Sequence, residues 1–220
     1  MAEVRKTFDH DLLELKKHLL KMGERVDKAV ERSIKALIEN DIALAEKVIS
    51  RDKKINDMED ITDDKVIQLI TQQQPVAKDL RKVITALKMN ASLERMGDLA
   101  RNIASAAVRI DKKPSDATAV KIAEMASVVQ SMVRGIMQAY LEENGELAKE
   151  VAAIDDKLDS LYKNYLNYLF SAVDVNSKSV EEATQYAFIG RHLERIGDHV
   201  TNIAELLVYL EEAKKFDLNN

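Results

Sequence analysis

The sequence predicts an all-α protein built as two tandem three-helix bundles. Composition is the first support: 220 residues contain no Cys or Trp, two Pro and six Gly, and are rich in the strong helix formers Ala, Leu, Glu and Lys. The second is apolar spacing at helical period through most of the chain. The third is an internal repeat. Leu93-Glu94-Arg95-Met96-Gly97-Asp98 continues to Asn102-Ile103-Ala104, and Leu193-Glu194-Arg195-Ile196-Gly197-Asp198 continues to Asn202-Ile203-Ala204. The repeat reaches further at an offset of 103 residues, pairing Met22 with Met125, Ala45 with Ala148, Asp52 with Asp155 and Ile55 with Leu158. Each copy is too long for a solenoid unit and suits a small bundle.

Six helices follow in order. The first, about 3–39, ends at Asn40-Asp41, a turn pair. The second, about 42–72, ends in Thr71-Gln72-Gln73-Gln74-Pro75, which reads as a loop, and Pro75 suits the first position of the third helix, about 76–111. The connection Asp111-Lys112-Lys113-Pro114-Ser115-Asp116 divides the copies, giving units 1–113 and 114–220. The fourth helix, about 116–142, ends at Asn144-Gly145. The fifth, about 146–172, ends at Asp174-Val175-Asn176-Ser177, and Ser179 with Glu182 is a capping box opening the sixth, about 179–213.

Composition also excludes classes. Net charge is −5 with both signs interspersed, which gives no nucleic-acid footprint. No apolar run approaches the roughly 18 residues of a spanning helix, and Met1 to Asp11 lacks a signal-peptide core. The absence of Cys removes disulfides and thiolate metal sites and agrees with a reducing compartment. His10, His18, His192 and His199 show no metal-ligand spacing and read as solvated, and Tyr162, Tyr165 and Tyr168 are spaced for helix packing.

The candidate site lies in the duplicated phrase. On the third helix Leu93, Met96, Ala100, Ile103 and Ala107 form a core stripe, as Leu193, Ile196, Val200, Ile203, Leu207 and Leu210 do on the last helix. Glu94, Asp98 and Asn102, and likewise Glu194, Asp198 and Asn202, fall opposite that stripe and are expected on an outer face. Charged residues opposite a core are ordinarily just a solvated face. Yet like charges at i,i+4 destabilise a helix, and Gly97 and Gly197 each cost about 1 kcal/mol relative to Ala. A cation would resolve both, and oxygen ligands suit Mg, Ca, Mn or Fe. On the second helix Asp52 falls within the stripe of Val48, Ile55, Thr62, Val66 and Leu69, with Asn56 at its edge; on the fifth, Asp155 and Asp159 take these places. Such carboxylates need a metal or an internal partner. Arg95, Arg195 and Arg191 are candidates for the internal role, and Arg95 and Arg195 equally for contact with a partner protein.

These residues, with the Asp-x-x-[Ile/Leu]-[Asn/Asp] pattern at Asp52–Asn56 and Asp155–Asp159 and with Gln74-Pro75-Val76-Ala77-Lys78-Asp79-Leu80-Arg81, resemble the PhoU family of phosphate-uptake regulators over nearly the whole chain. The resemblance implies a pseudo-twofold relation between the bundles and a homodimer. It implies multinuclear sites at Glu94/Asp98 and Glu194/Asp198 for divalent metal ions, with Fe, Mn, Mg, Ca and Zn all open. It implies a non-enzymatic role in the bacterial cytoplasm: contact with the phosphate ABC transporter, through its ATPase subunit, and with a phosphate-responsive sensor histidine kinase, restraining uptake and starvation signalling. Membrane association would be indirect, through those partners. Asn56 departs from the carboxylate of Asp159, which sets the two sites apart in charge. Two alternatives are a regulator of a different phosphate transporter and a carboxylate di-metal oxidoreductase. The latter class needs Glu-x-x-His pairs, and Gly97 and Gly197 stand at the His positions.

Overall fold

The computed structural model describes residues 2–110, 112–171, 177–214 and 216–218. Its elements are α1 (Ala2–Glu39), α2 (Ile42–Gln73), α3 (Ala77–Arg109), α4 (Asp116–Glu142), α5 (Gly145–Ala152), α6 (Asp155–Ser171) and α7 (Ser177–Glu212). Helices α1–α3 pack on one another as one bundle, and α4, α5/α6 and α7 as the second. No helix among the described residues is long and apolar enough to cross a membrane.

The repeat is visible in the caps. Asp41 accepts a hydrogen bond from the Leu44 amide at 2.9 Å, and Asn144 accepts one from Leu147 at 3.0 Å. Such caps satisfy amides that the first turn leaves unpaired. The residues before them, Asn40 and Glu143, both take positive φ. The α2–α3 corner closes on Gln74, also left-handed. Val76 is the N-cap of α3, so Pro75 precedes the helix rather than opening it. Ser177 is helical, so α7 starts before the expected position. The turn at 174–176 and the Ser179 side chain of the expected capping box lie outside the described residues.

The expected fifth helix is two helices. Between α5 and α6 the Ile154 amide bonds to Val151 O at 3.1 Å and Lys157 to Ile154 O at 3.1 Å, an i→i−3 tightening. The break places Asp155 and Asp156 in the first turn of α6, where the helix dipole favours carboxylates. Asp52, the counterpart of Asp155, sits instead inside continuous α2.

The bundles join through α3 against α7 and α1 against α4. Arg109 bonds to Gln185 at 3.0 Å across the first seam. Across the second, Gln130 donates to Asp27 at 3.2 Å. Gln130 is the counterpart of Asp27 at the repeat offset, as a local twofold requires. One apolar core runs through both bundles, including Leu93, Met96 and Ile103 and their counterparts Leu193, Ile196 and Ile203. Helices α3 and α7 are central, each with neighbours on several sides.

Candidate functional site

That central position corrects the expected direction of the acids. Glu94 is only 8 % exposed, and Asp98, Asn102, Glu194, Asp198 and Asn202 are half-buried. The face opposite the main core stripe of α3 is where α2 packs, and on α7 it is where α6 packs. The repeated glycines are why those helices come close. A Cβ on Gly97 would stand 2.9 Å from Ile55 Cδ1, and one on Gly197 would stand 2.5 Å from Leu158 Cδ2 and 2.6 Å from Asp155 Oδ1. Each glycine therefore seats the carboxylates of the neighbouring helix beside those of its own.

In the first half the seam gathers Asp52, Asn56, Glu94, Asp98 and Asn102. Asp52 is buried within the α2 stripe as expected, at 7 % exposure. Its partner is none of the three arginines suggested by the sequence. Arg101 Nε lies 3.4 Å from Asp52 Oδ2, and Arg101 Nη2 lies 3.2 Å from Asp98 Oδ1. Arg95, largely exposed, adds contacts to Glu94 at 3.4 Å and Asp98 at 3.5 Å. Burial raises the Asp52 and Glu94 carboxyls above the usual range, with Asp98 adding repulsion to each and the guanidinium groups opposing it. Asp52 Oδ1 and Asn56 Oδ1 are buried without a hydrogen-bond partner.

The second half differs in charge. Thr201 occupies the position of Arg101 and turns its hydroxyl to Gly197 O at 3.3 Å. Asp155, Asp156, Asp159, Asp198, Asn202 and Asp217 line an open cavity of about 630 Å³, with Lys149 at its edge. Arg191 pairs with Glu194 at 2.6 Å, while Arg195 is exposed. Burial and the neighbouring Asp198 push the Glu194 carboxyl up to about 7. Burial, Asp159 and Asp198 push Asp155 up to about 6. Asp155 Oδ1 and Glu194 Oε2 are buried without a hydrogen-bond partner.

These donors are hard oxygens, and orphaned carboxylate oxygens beside like charges fit a divalent cation better than they fit isolation. Among the described residues no three His, Cys, Asp or Glu side chains already converge as a metal shell. The histidines stay apart from the acids. His10 is exposed; His18, expected in solvent, is half-buried with Nε2 3.1 Å from Met58 O. His192 and His199 are half-buried too, held low by burial and by arginines including Arg109 and Arg95 of α3. Tyr165 is a packing residue, buried with its hydroxyl donating to Tyr186 O at 3.1 Å. Sequence reasoning missed Arg101. Its signal was the one cationic residue inside the variable part of the repeated phrase, opposite Thr201 in the second copy.

The class of protein is thus a double helical bundle whose two central helices each carry a carboxylate-rich seam. The PhoU domain matches residues 19–107 and 122–207, and the chain belongs to the PhoU family. It is 40% identical over 217 residues to the phosphate-specific transport system accessory protein PhoU homolog of Clostridium acetobutylicum, covering 98% of this chain and 99% of that protein. It is 35% identical over 204 residues to the homolog of the same name from Pseudomonas aeruginosa, covering 92% and 84%. The crystal structure of PhoU from Pseudomonas aeruginosa superposes with a TM-score of 0.89 at 35% identity, covering 94% of this chain and 100% of that one. The phosphate transport system regulatory protein PhoU from Streptococcus pneumoniae gives 0.88 at 29% identity, covering 96% and 99%.

Proposed function

We propose that this protein is a regulatory adaptor of a phosphate-specific transport system, working in the cytoplasm as a homodimer, and that divalent cations bound at its carboxylate seams control what it docks against. Family membership supports the accessory role. The observation that carries the metal reading is the pair of orphaned oxygens, Asp155 Oδ1 and Glu194 Oε2, beside Asp159 and Asp198. Asp155, Asp159, Glu194, Asp198 and Asn202 would hold a cation in the second half, and Asp52, Glu94, Asp98 and Asn102 in the first. Bound metal would neutralise the seam and so change which surface it complements. Oxygen ligands favour Mg, Ca, Mn or Fe over Zn. The partners under this reading are the transporter's ATPase subunit and the phosphate-responsive sensor kinase, with Arg95 and Arg195, exposed beside the seams, as contacts.

A manganese titration of chelator-treated protein tests the metal reading. The native chain should bind saturably, and Asp155→Asn with Asp198→Asn should lose that binding while keeping its helical signal. Unchanged binding in the double variant would remove these residues from the site. In cells, deletion should switch on phosphate-starvation genes despite ample phosphate; unaltered signalling and uptake would count against the adaptor role.

A further inference from the structure

A second charged site lies in the first bundle, on the α1–α2 side of Asp52. Arg25, Lys28 and Arg32 form one stripe on α1, at helical spacing. Lys47, Arg51 and Lys54 form another on α2. The stripes face each other across a cavity of about 140 Å³, with Gly97 and Arg101 of α3 also in its lining. Asp52 is the sole carboxylate in that lining, and Arg101 pairs with it.

Most of these cations lack a carboxylate. Arg25, Arg32, Lys47, Arg51 and Lys54 form no ion pair within 4.0 Å among the described residues, and Lys28 reaches only Glu24, at 3.9 Å. Arg25 Nε is buried with no hydrogen-bond partner. Solvated lysines on a helix face are ordinary; two stripes of largely unpaired cations closing on one cavity, with a buried guanidinium nitrogen unsatisfied, are not. The repeat supplies an internal control. At the corresponding positions the second half carries Val128, Ser131 and Gly135 on α4, then Glu150, Ile154 and Lys157. Those residues leave one cation and one carboxylate, so the fold itself does not require the basic lining.

We propose that this cavity binds a phosphate group. Arginine presents paired donors that match phosphate oxygens. The cavity is below the roughly 300 Å³ at which sites for drug-sized ligands begin, so it suits one phosphate group with anything attached to it lying outside. The group is either free inorganic phosphate or the end of a phosphate monoester. The inference goes beyond the adaptor reading and does not depend on it, because binding is measured on the isolated, metal-free chain.

The test is calorimetric titration of the chelator-treated full-length protein with inorganic phosphate, with glycerol phosphate and with sulfate. Saturable binding of inorganic phosphate, tighter than sulfate, supports a free-anion site; binding of the monoester alone supports the ester. Arg51→Gln and Arg25→Gln should each weaken it roughly tenfold or more, with unchanged helical signal. Lys157→Gln, at the corresponding place in the second half, should leave it intact. Absence of saturable binding by either phosphate compound, or equal binding by native and Arg51→Gln protein, would overturn the proposal. Because Arg51 is exposed, its substitution tests the site without disturbing the core.

Discussion

Arg101 Nε lies 3.4 Å from Asp52 Oδ2, and the residue at the matching place in the other half is Thr201. The first seam therefore carries an internal cation that the second lacks. Together with Asn56 in place of Asp159, this makes the first half nearer to neutral and the second strongly acidic.

The asymmetry predicts the behaviour of Arg101→Thr. Removing the guanidinium leaves buried Asp52 without its partner, at a cost of about 1–3 kcal/mol, nearer the low end because Arg101 is partly exposed and screened. The same change should let the first seam take a divalent cation more tightly. Thermal unfolding should show a lower Tm in chelator and a larger rise on adding manganese than native protein shows. A variant equally stabilised by manganese would mean that Arg101 does not compete with metal.

Gly197→Ala should destabilise more than Gly97→Ala. The added Cβ at 197 meets Leu158 Cδ2 at 2.5 Å and Asp155 Oδ1 at 2.6 Å, whereas at 97 its tightest contacts are Ile55 Cδ1 at 2.9 Å and Cγ2 at 3.1 Å. Overpacking costs about 1–3 kcal/mol, offset by about 1 kcal/mol of helix propensity. Denaturant midpoints should put the Gly197 variant lowest, with weakened manganese binding because Asp155 is displaced. Equal midpoints for the two variants would contradict the close approach.

Acidity gives a third prediction. Glu194 titrates at about 7 and Asp155 at about 6 in the folded chain, above the roughly 4 of unfolded carboxylates. Their contribution to stability is therefore complete below about pH 4 and is lost as pH rises through 6 to 7. His18, His192 and His199, held low by burial, act oppositely as pH falls below about 6.5. Glu194→Gln isolates the carboxylate from Asp155, Asp159, Asp198 and Arg191 around it. In metal-free buffer the Tm of Glu194→Gln relative to native should climb between pH 5 and pH 8; a gap independent of pH would contradict the raised carboxyl.

Much of the fold was legible because the repeat fixed it twice. The turns at Asn40-Asp41 and Asn144-Gly145, the α3 and α7 core stripes and buried Asp52 all follow from local spacing. What was not legible depends on neighbours. Taking a helix to have one buried face turned Glu94 outward, whereas α3 is central and α2 packs over that side. The α5–α6 break carries no Gly or Pro at Ala153-Ile154 to announce it. Arg101 joins Asp52 only once α2 and α3 are side by side, and the basic stripes of α1 and α2 become a cavity only when the two helices face each other.

The central claim, a metal-gated adaptor of phosphate transport, is tested most directly by affinity capture from phosphate-replete cells. Native protein should bring down the transporter's ATPase subunit and the sensor kinase. Chelation, or Asp155→Asn with Asp198→Asn, should sharply reduce their recovery. Recovery of neither partner with metal present, or equal recovery under all three conditions, would contradict the account.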